Sequence, residues 1–245
     1  MDPQIEQLTH ILRHTKRGVF FGGAGVSTAS GIPDFRSSNG LFSQRLNRQF
    51  TPEQLVSHTF FQQYPEDFYA FYKDKLLYPD VAPNACHRAL ATLERMSILR
   101  AVVTQNIDGL HQAAGSRCVY ELHGSVLRNY CTGCHRFYTM QDILDAPGIP
   151  RCKDCGSIIK PDVVLYEESL DDEVVSGAIR AIAEADTLIV GGTSLVVYPA
   201  AGLLRYFQGD HLVLINKSST QADARADLLI HDDIATVLDR AVQNL

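Results

Sequence analysis

Residues 18–37 read "GVFFGGAGVSTASGIPDFRS", an apolar run that breaks into glycines and ends on an acid, an aromatic and a base. Val19, Phe20 and Phe21 have the character of a buried strand, and the glycines behind them that of a phosphate loop. The dinucleotide fingerprint wants glycine at its first, third and sixth positions after a strand. Gly23 and Gly25 satisfy two of these, and Thr28 stands where the third belongs. Pro33, Asp34, Phe35 and Arg36 follow, too polar and too specific for a plain helix start. The stretch predicts a nucleotide loop of a non-standard kind, and the rest of the chain has to say what it holds.

Working outward, apolar and amphipathic segments alternate. A helix is expected over 4–16, with Ile5, Leu8, Ile11 and Leu12 on one face. Residues 39–78 are rich in Phe and Tyr, with helical stretches near 52–63 and 65–77. Short apolar strands are expected at "AVVTQ" (101–105), "VYELH" (119–123), "DVVLY" (162–166), "TLIVGGTS" (187–194), "HLVLIN" (211–216) and "LLIH" (228–231). Helices are expected at 171–185, near 199–208 and from about 234. Such alternation predicts an α/β fold, a Rossmann-like parallel sheet with helices on both faces. Ligands of these sheets lie at the carboxyl ends of the strands. The groups after the strands are Gly23–Ser27, Gln105–Asp108, His123, Gly191–Ser194 and Asn216, so five loops should converge on one edge.

Bulk properties narrow the function. The 245 residues are 45% hydrophobic and 20% charged, a globular composition, and the net charge of −6 lacks the basic footprint of a nucleic-acid binder. No apolar run reaches 18 residues, so no membrane span is expected. The start, "MDPQIEQLTHILRH", lacks a secretory pattern, which makes a cytoplasmic location the expectation.

Four of the six cysteines form two C-x-x-C pairs, Cys131/Cys134 and Cys152/Cys155, with 17 residues between them. That is zinc-ribbon spacing. Each pair presents two thiolates from a tight knuckle, and four close a tetrahedral shell with no open position for water, so the metal should be structural. His135 could ligate, but four sulfurs suffice. Cys86 and Cys118 read as core residues. The stretch 124–161 that carries the pairs looks like an insert.

Two loops carry the polar groups for chemistry. "TQNIDGLH" (104–111) sets Gln105, Asn106 and Asp108 after a strand, where Asn106 or Asp108 could equally be a helix cap. His123, in "YELHG", ends the next strand, where this architecture puts active groups.

Together, "GAGVSTASGIPDFR", "TQNID", "ELHG", the two C-x-x-C pairs, "KPDVV" and "GTSLVVYPAA" occur in this order in the sirtuins, NAD-dependent protein deacylases. The chain resembles a compact prokaryotic member over about 5–243. The resemblance implies that Ala24, Gly25 and Thr28 lie against the phosphates of NAD. Asp34, Phe35 and Arg36 would belong to a loop that closes over the cofactor, and Gln105 would contact the nicotinamide ribose. Asn106, the backbone of Ile107 and the carboxylate of Asp108 would shape the nicotinamide pocket. Thr193, Ser194 and Asn216 would hold phosphate and the adenine ribose, and Asp233 and Ile234 would touch adenine. His123 would be the base. In the implied reaction the acyl oxygen of a modified lysine attacks C1′ of the nicotinamide ribose and nicotinamide leaves. His123 then takes a proton from a ribose hydroxyl, and water yields free lysine and O-acyl-ADP-ribose.

The same resemblance implies a nucleotide-binding domain from 1–38, 83–124 and 162–245. It also implies a small domain made of a helical module (39–82) and a zinc-binding module (125–161). The partners would be acetylated-lysine proteins or peptides, held as an added strand between Val164 and Tyr166 on one side and Val196 and Tyr198 on the other. A monomer is expected. Many members have Phe-Gly-Glu where this chain has Tyr166-Glu167-Glu168, so Glu167 replaces a permissive glycine and reads either as a solvated charge or as a determinant of peptide preference. Members that take acidic acyl groups carry Tyr and Arg three residues apart; here Tyr69 is followed by Tyr72. A mainly apolar acyl pocket lined by Phe68 and Phe71 is therefore expected, with Lys75 as a poorer grip for a carboxylate. The competing readings are a mono-ADP-ribosyltransferase using the same cofactor bond and a zinc-ribbon nucleic-acid module.

Overall fold

The computed structural model of the chain describes residues 2–34, 40 and 50–245. Phe35 and Arg36 lie outside the described residues. In chain order the elements are α1 (Pro3–His14), β1 (Gly18–Gly22), α2 (Pro52–Leu55), α3 (His58–Gln63), α4 (Pro65–Lys75), α5 (Ala85–Arg95), β2 (Leu99–Thr104) and α6 (Leu110–Ala113). There follow β3 (Val119–Glu121), β4 (Gly124–Cys131), β5 (Phe137–Tyr138), α7 (Met140–Asp145), β6 (Ile159–Val163), α8 (Asp172–Glu184), β7 (Thr187–Gly191), β8 (His211–Ile215), β9 (Leu228–Ile230) and α9 (Ile234–Gln243). Among the described residues no helix is long and apolar enough to cross a membrane.

Six strands form a sheet in the order β3-β2-β1-β7-β8-β9, with every adjacent pair parallel. The chain builds outward from β1 in one direction and from β7 in the other. The strand order therefore reverses between them, which opens a crevice at their carboxyl ends. Both faces are buried, which is why the strands read as unbroken apolar runs rather than alternating ones. Phe20, Val102, Ile189 and Val213 point to the layer built by α1, α5 and α9. Their neighbours Val19, Phe21, Ala101, Val103, Leu188, Val190, Leu212 and Leu214 point to the layer of α8 and the segment 200–206.

The second sheet is small and antiparallel, in the order β5-β4-β6. It shares one core with the aromatic helices: Phe60, Phe61, Phe68, Tyr69 and Tyr72 pack with Cys131, Tyr138, Ile143, Cys152 and Ile159. Tyr69 donates its hydroxyl to the Ile159 carbonyl, and Lys73 Nζ reaches the Gly148 carbonyl at 3.0 Å. The helical and cysteine-bearing inserts are thus one body. Arg128 ties it to the parallel sheet, with Nη1 2.7 Å from Glu121 on β3 and Nε 2.7 Å from Asp162 on β6.

Several local expectations change. The strand expected at 162–166 begins at Ile159 and ends at Val163, and its partner is β4 of the small sheet. The helix expected over 52–63 breaks at Val56 and Ser57, because Tyr166 N bonds the Val56 carbonyl and the Ser57 side chain caps a new helix. The segment near 199–208 is a 3₁₀ helix, Ala200–Tyr206. Three helices, α5, α6 and α7, lie outside the helical segments expected; α5 carries a readable start in Asn84, whose side chain caps Cys86 N.

Candidate active site

The glycine loop after β1 does not enter an α-helix. It forms two 3₁₀ turns, Ala24–Val26 and Thr28–Ser30, and Thr28 Oγ1 bonds back to the Gly25 carbonyl at 3.0 Å. The missing third glycine is explained, since that glycine serves close helix–strand packing and no such helix follows. Gly25 N bonds the Gly192 carbonyl at 2.8 Å, and a Cβ on Gly25 would stand 2.8 Å from Gly192 Cα. The loops after β1 and β7 therefore meet backbone to backbone across the crevice.

That crevice is a cavity of about 1050 Å³. Its walls include Ala24, Gly25, Thr28 and Asp34 from the first loop, Gln105, Asn106, Ile107 and Asp108 from the loop after β2, and His123 after β3. Thr193, Ser194, Asn216, Asp233 and Ile234 line it from the other half of the sheet, and Val164, Tyr166 and Tyr198 from its outer rim. Val196 is exposed and does not line it. The five loops do converge.

Ser27, not singled out by the sequence, sits at the centre of the polar cluster and is 1% exposed. Its hydroxyl donates to Asp108 Oδ2 at 2.6 Å and accepts from Asn106 Nδ2 at 3.1 Å. The other Asp108 oxygen accepts from Leu110 N at 2.9 Å, so this carboxylate both caps the turn into α6 and faces the glycine loop. Burial raises the Asp108 pKa, opposed by these two hydrogen bonds. Gln105 Nε2 spans the crevice to Thr193 Oγ1 at 3.0 Å.

His123 stands where the chain leaves the parallel sheet for the small one. Its Nδ1 lies 2.9 Å from the Gln105 carbonyl. A carbonyl only accepts, so Nδ1 carries the proton and Nε2 is the basic nitrogen of the neutral ring. Burial lowers the pKa, and the Gln105 carbonyl opposes that shift. The next residue must be glycine: Gly124 has φ +74, and a Cβ there would lie 1.9 Å from the Asp162 carbonyl.

On the far wall, Asn216 Oδ1 accepts from Thr193 N at 3.0 Å, while its buried Nδ2 has no partner among the described residues. An orphan donor in a cavity wall and a cradle of side-chain-free backbone both suit a phosphate- and ribose-bearing dinucleotide. Asp233 has a structural task as well, capping α9 through Thr236 N and pairing with Lys217 at 2.9 Å.

The aromatic helix departs from expectation. Phe68, Tyr69 and Tyr72 are fully buried in the small core, and neither Phe68 nor Phe71 lines the cavity; Lys75 and Leu76, one turn on, do. The helix turns its rings toward the cysteine sheet because that sheet has little apolar surface of its own.

The sulfurs of Cys131, Cys134, Cys152 and Cys155 lie within 4.8 Å of one another, with Cys131–Cys155 at 3.3 Å and Cys134–Cys152 at 3.5 Å. A tetrahedral zinc with bonds of about 2.3 Å sets its sulfurs about 3.8 Å apart, so the set fits the ion. The backbone N–H of Gly133, Cys134 and Asp154 point at these sulfurs, and the Tyr138 hydroxyl donates to Cys152 Sγ at 3.2 Å. These outer donors hold the thiolates in place.

The Sir2 family model matches residues 23–199. A NAD-dependent protein deacetylase of Clostridium perfringens is 65% identical over 243 residues, covering 99% of this chain and 100% of that protein. One from Staphylococcus aureus is 48% identical over 238 residues, covering 97% and 98%. Among solved structures, a Sir2 protein carrying a histidine-to-alanine change, with deacetylated p53 peptide and 3′-O-acetyl-ADP-ribose, matches at TM-score 0.89 and 37% identity. It covers 98% of each chain. A Sir2 homologue with a serine-to-alanine change, in complex with ADP-ribose, matches at TM-score 0.89 and 36% identity, covering 99% of this chain and 96% of that one. With the family model matched over 23–199 and relatives this similar along the whole chain, this chain belongs to the Sir2 family.

Proposed function

We propose that the chain is a NAD-dependent protein lysine deacetylase with His123 as its general base. The observation that carries this reading is the His123–Gln105 hydrogen bond, which leaves Nε2 basic at the wall of a dinucleotide-sized crevice. Bound NAD would supply a ribose C1′ that accepts the acyl oxygen and a nicotinamide that leaves; with one water consumed, the products would be nicotinamide, free lysine and O-acetyl-ADP-ribose.

The chain's own residues then divide the work. Asn106, the Ile107 backbone and Asp108, braced by Ser27, orient the nicotinamide end. Gln105 faces its ribose. Ala24, Gly25 and Thr28 receive phosphate against backbone, and Asp34 borders that side. Thr193, Ser194 and Asn216 hold the other ribose, the Asn216 amide gaining the partner it lacks. Asp233 and Ile234 border the adenine end. His123, kept neutral by burial, accepts a proton at Nε2. Acetyl-lysine peptide adds as a strand between Val164/Tyr166 and Val196/Tyr198. Zinc, enclosed by four thiolates, holds the small domain together and has no open position for chemistry.

The test is incubation with NAD labelled in its ADP-ribose part and an acetyl-lysine peptide. Release of nicotinamide with label on a small acyl ester is the expected result. Label on protein would instead indicate ADP-ribosyl transfer, and no nicotinamide release would overturn the reading.

A further inference from the structure

The segment Val164–Glu168 is held at almost every residue. Val164 N bonds the His123 carbonyl, Tyr166 N the Val56 carbonyl, and His58 N the Tyr166 carbonyl, each at 3.0 Å. Glu168 carries a partly buried pair of contacts, to Lys160 Nζ at 3.0 Å and His58 Nδ1 at 2.8 Å. Glu168 N also closes a turn onto the Leu165 carbonyl at 3.0 Å. The third residue of that turn is Glu167, with φ +76. A turn with positive φ at its third position calls for glycine or asparagine, because a Cβ there crowds the carbonyl. Glutamate has neither advantage.

What replaces the glycine is a side-chain contact. Glu167 Oε2 accepts from Thr59 N at 2.9 Å and from Thr59 Oγ1 at 2.7 Å. Thr59 belongs to α3, in the helical insert, and those two bonds lower the Glu167 pKa. The carboxylate is turned onto the helix while the backbone holds its left-handed turn.

We propose that Glu167 is a positioning residue for the substrate strand: latched to Thr59, it holds Leu165–Glu168 in the left-handed turn that presents this edge to an acetyl-lysine peptide. The inference rests on the deacetylase reading and on the strand-addition mode given above. It makes the helical insert, rather than glycine, the source of the turn in this chain. Of the two readings open at position 167, a solvated charge and a determinant of peptide binding, it selects the second, acting through backbone rather than through charge.

The experiment is steady-state kinetics on one acetyl-lysine peptide, with KM for peptide and for NAD measured separately in Glu167→Ala, Glu167→Gln and Glu167→Gly. Glu167→Ala keeps the Cβ and loses the latch; its peptide KM should rise about tenfold, with NAD KM changed less than about twofold. Glu167→Gln keeps an acceptor for Thr59, and Glu167→Gly adopts the turn without one, so both should return to within about threefold of wild type. Thr59→Val should raise peptide KM in the wild-type background and not in Glu167→Gly. A Glu167→Gln as weak as Glu167→Ala would assign the effect to charge. A Glu167→Gly as weak as Glu167→Ala would assign it to a side-chain contact. Either overturns the proposal. If wild-type protein releases no nicotinamide, the functional reading fails, and the latch is read from thermal unfolding instead. There Glu167→Ala should melt about 2–4 °C below Glu167→Gly, and equal melting would sink the latch as well.

Discussion

The parallel sheet and the small antiparallel sheet are held by different physics. In the first, six strands are covered on both faces, and Phe20, Phe21, Leu188, Ile189, Val213 and Leu214 are all excluded from solvent. Its order comes from apolar area spread over many residues, each replaceable at modest cost. In the second, three strands rest on four thiolates and a group of aromatic rings lent by α3 and α4. Few groups hold it, so each matters more. The active crevice lies at the seam, with His123 between β3 of one sheet and β4 of the other. Chemistry here depends on the sturdy region for its floor and on the sparse one for its rim.

The sharpest way to break that contrast is to remove zinc. Cys152→Ser, or chelation, should remove most of a binding term on the order of 10 kcal/mol and unravel the small sheet, abolishing deacetylation. The parallel sheet should survive, so far-UV circular dichroism should keep most of its helical signal. Native melting and full activity in a zinc-free protein would show that the aromatic core suffices.

At the seam, His123→Ala should lower kcat by about 10²–10⁴-fold with NAD affinity largely kept. The pH dependence has a definite sign. In the proposed role His123 would work unprotonated, and burial sets its pKa below the ordinary histidine value. Activity should therefore persist as pH falls through about 6.5 and decline only at lower pH. An acid limb centred above that value, followed in kcat/KM for peptide, would contradict the assignment.

On the floor of the crevice, Ser27→Ala leaves Asp108 Oδ2 and Asn106 Nδ2 without their shared partner. Leaving buried polar groups unpaired costs about 1–3 kcal/mol, so kcat/KM for NAD should fall about tenfold or more. An unchanged value would show that the cluster rearranges without cost.

The smallest effect tests whether the sturdy region has a weak point of its own. His87 on α5 and His111 on α6 are buried with ring centres 4.8 Å apart, and three of their four ring nitrogens lack a partner among the described residues. Burial lowers the pKa of His87 to about 4 and of His111 to about 3. Between those values and the unfolded value near 6.5 the unfolded chain binds more protons. The stability they contribute is thus full above 6.5 and declines as pH drops through that window. At pH 5.5 the loss should be about 1 kcal/mol per histidine, seen as a few degrees in Tm. A Tm unchanged from pH 7.5 to 5.5 would mean the pair is already protonated or already compensated.

Much of this protein was decided locally and could be read from the chain. Runs such as Val19–Phe21 and Leu188–Val190, bounded by turn residues, read as strands buried on both faces, and the order of strands and helices then implies a parallel sheet with its ligand edge known. Two C-x-x-C pairs define a four-sulfur cluster because a knuckle is a local structure. The helix from Ala85 was equally legible, in the Asn84 cap and the spacing of Ala89, Leu90 and Leu93. Other features depend on partners distant in sequence. Strand Ile159–Val163 joins the small sheet because β4 offers it an edge, and nothing within its own residues says so. Tyr69 and Tyr72 turn from the cavity because the cysteine sheet needs their apolar area. Ser27 braces Asp108 across 81 positions, and Glu167 holds a left-handed turn through Thr59, 108 positions away. Periodicity and spacing report what a segment does with its own backbone. Which side chain satisfies a distant buried group is settled only when the tertiary fold brings the two together.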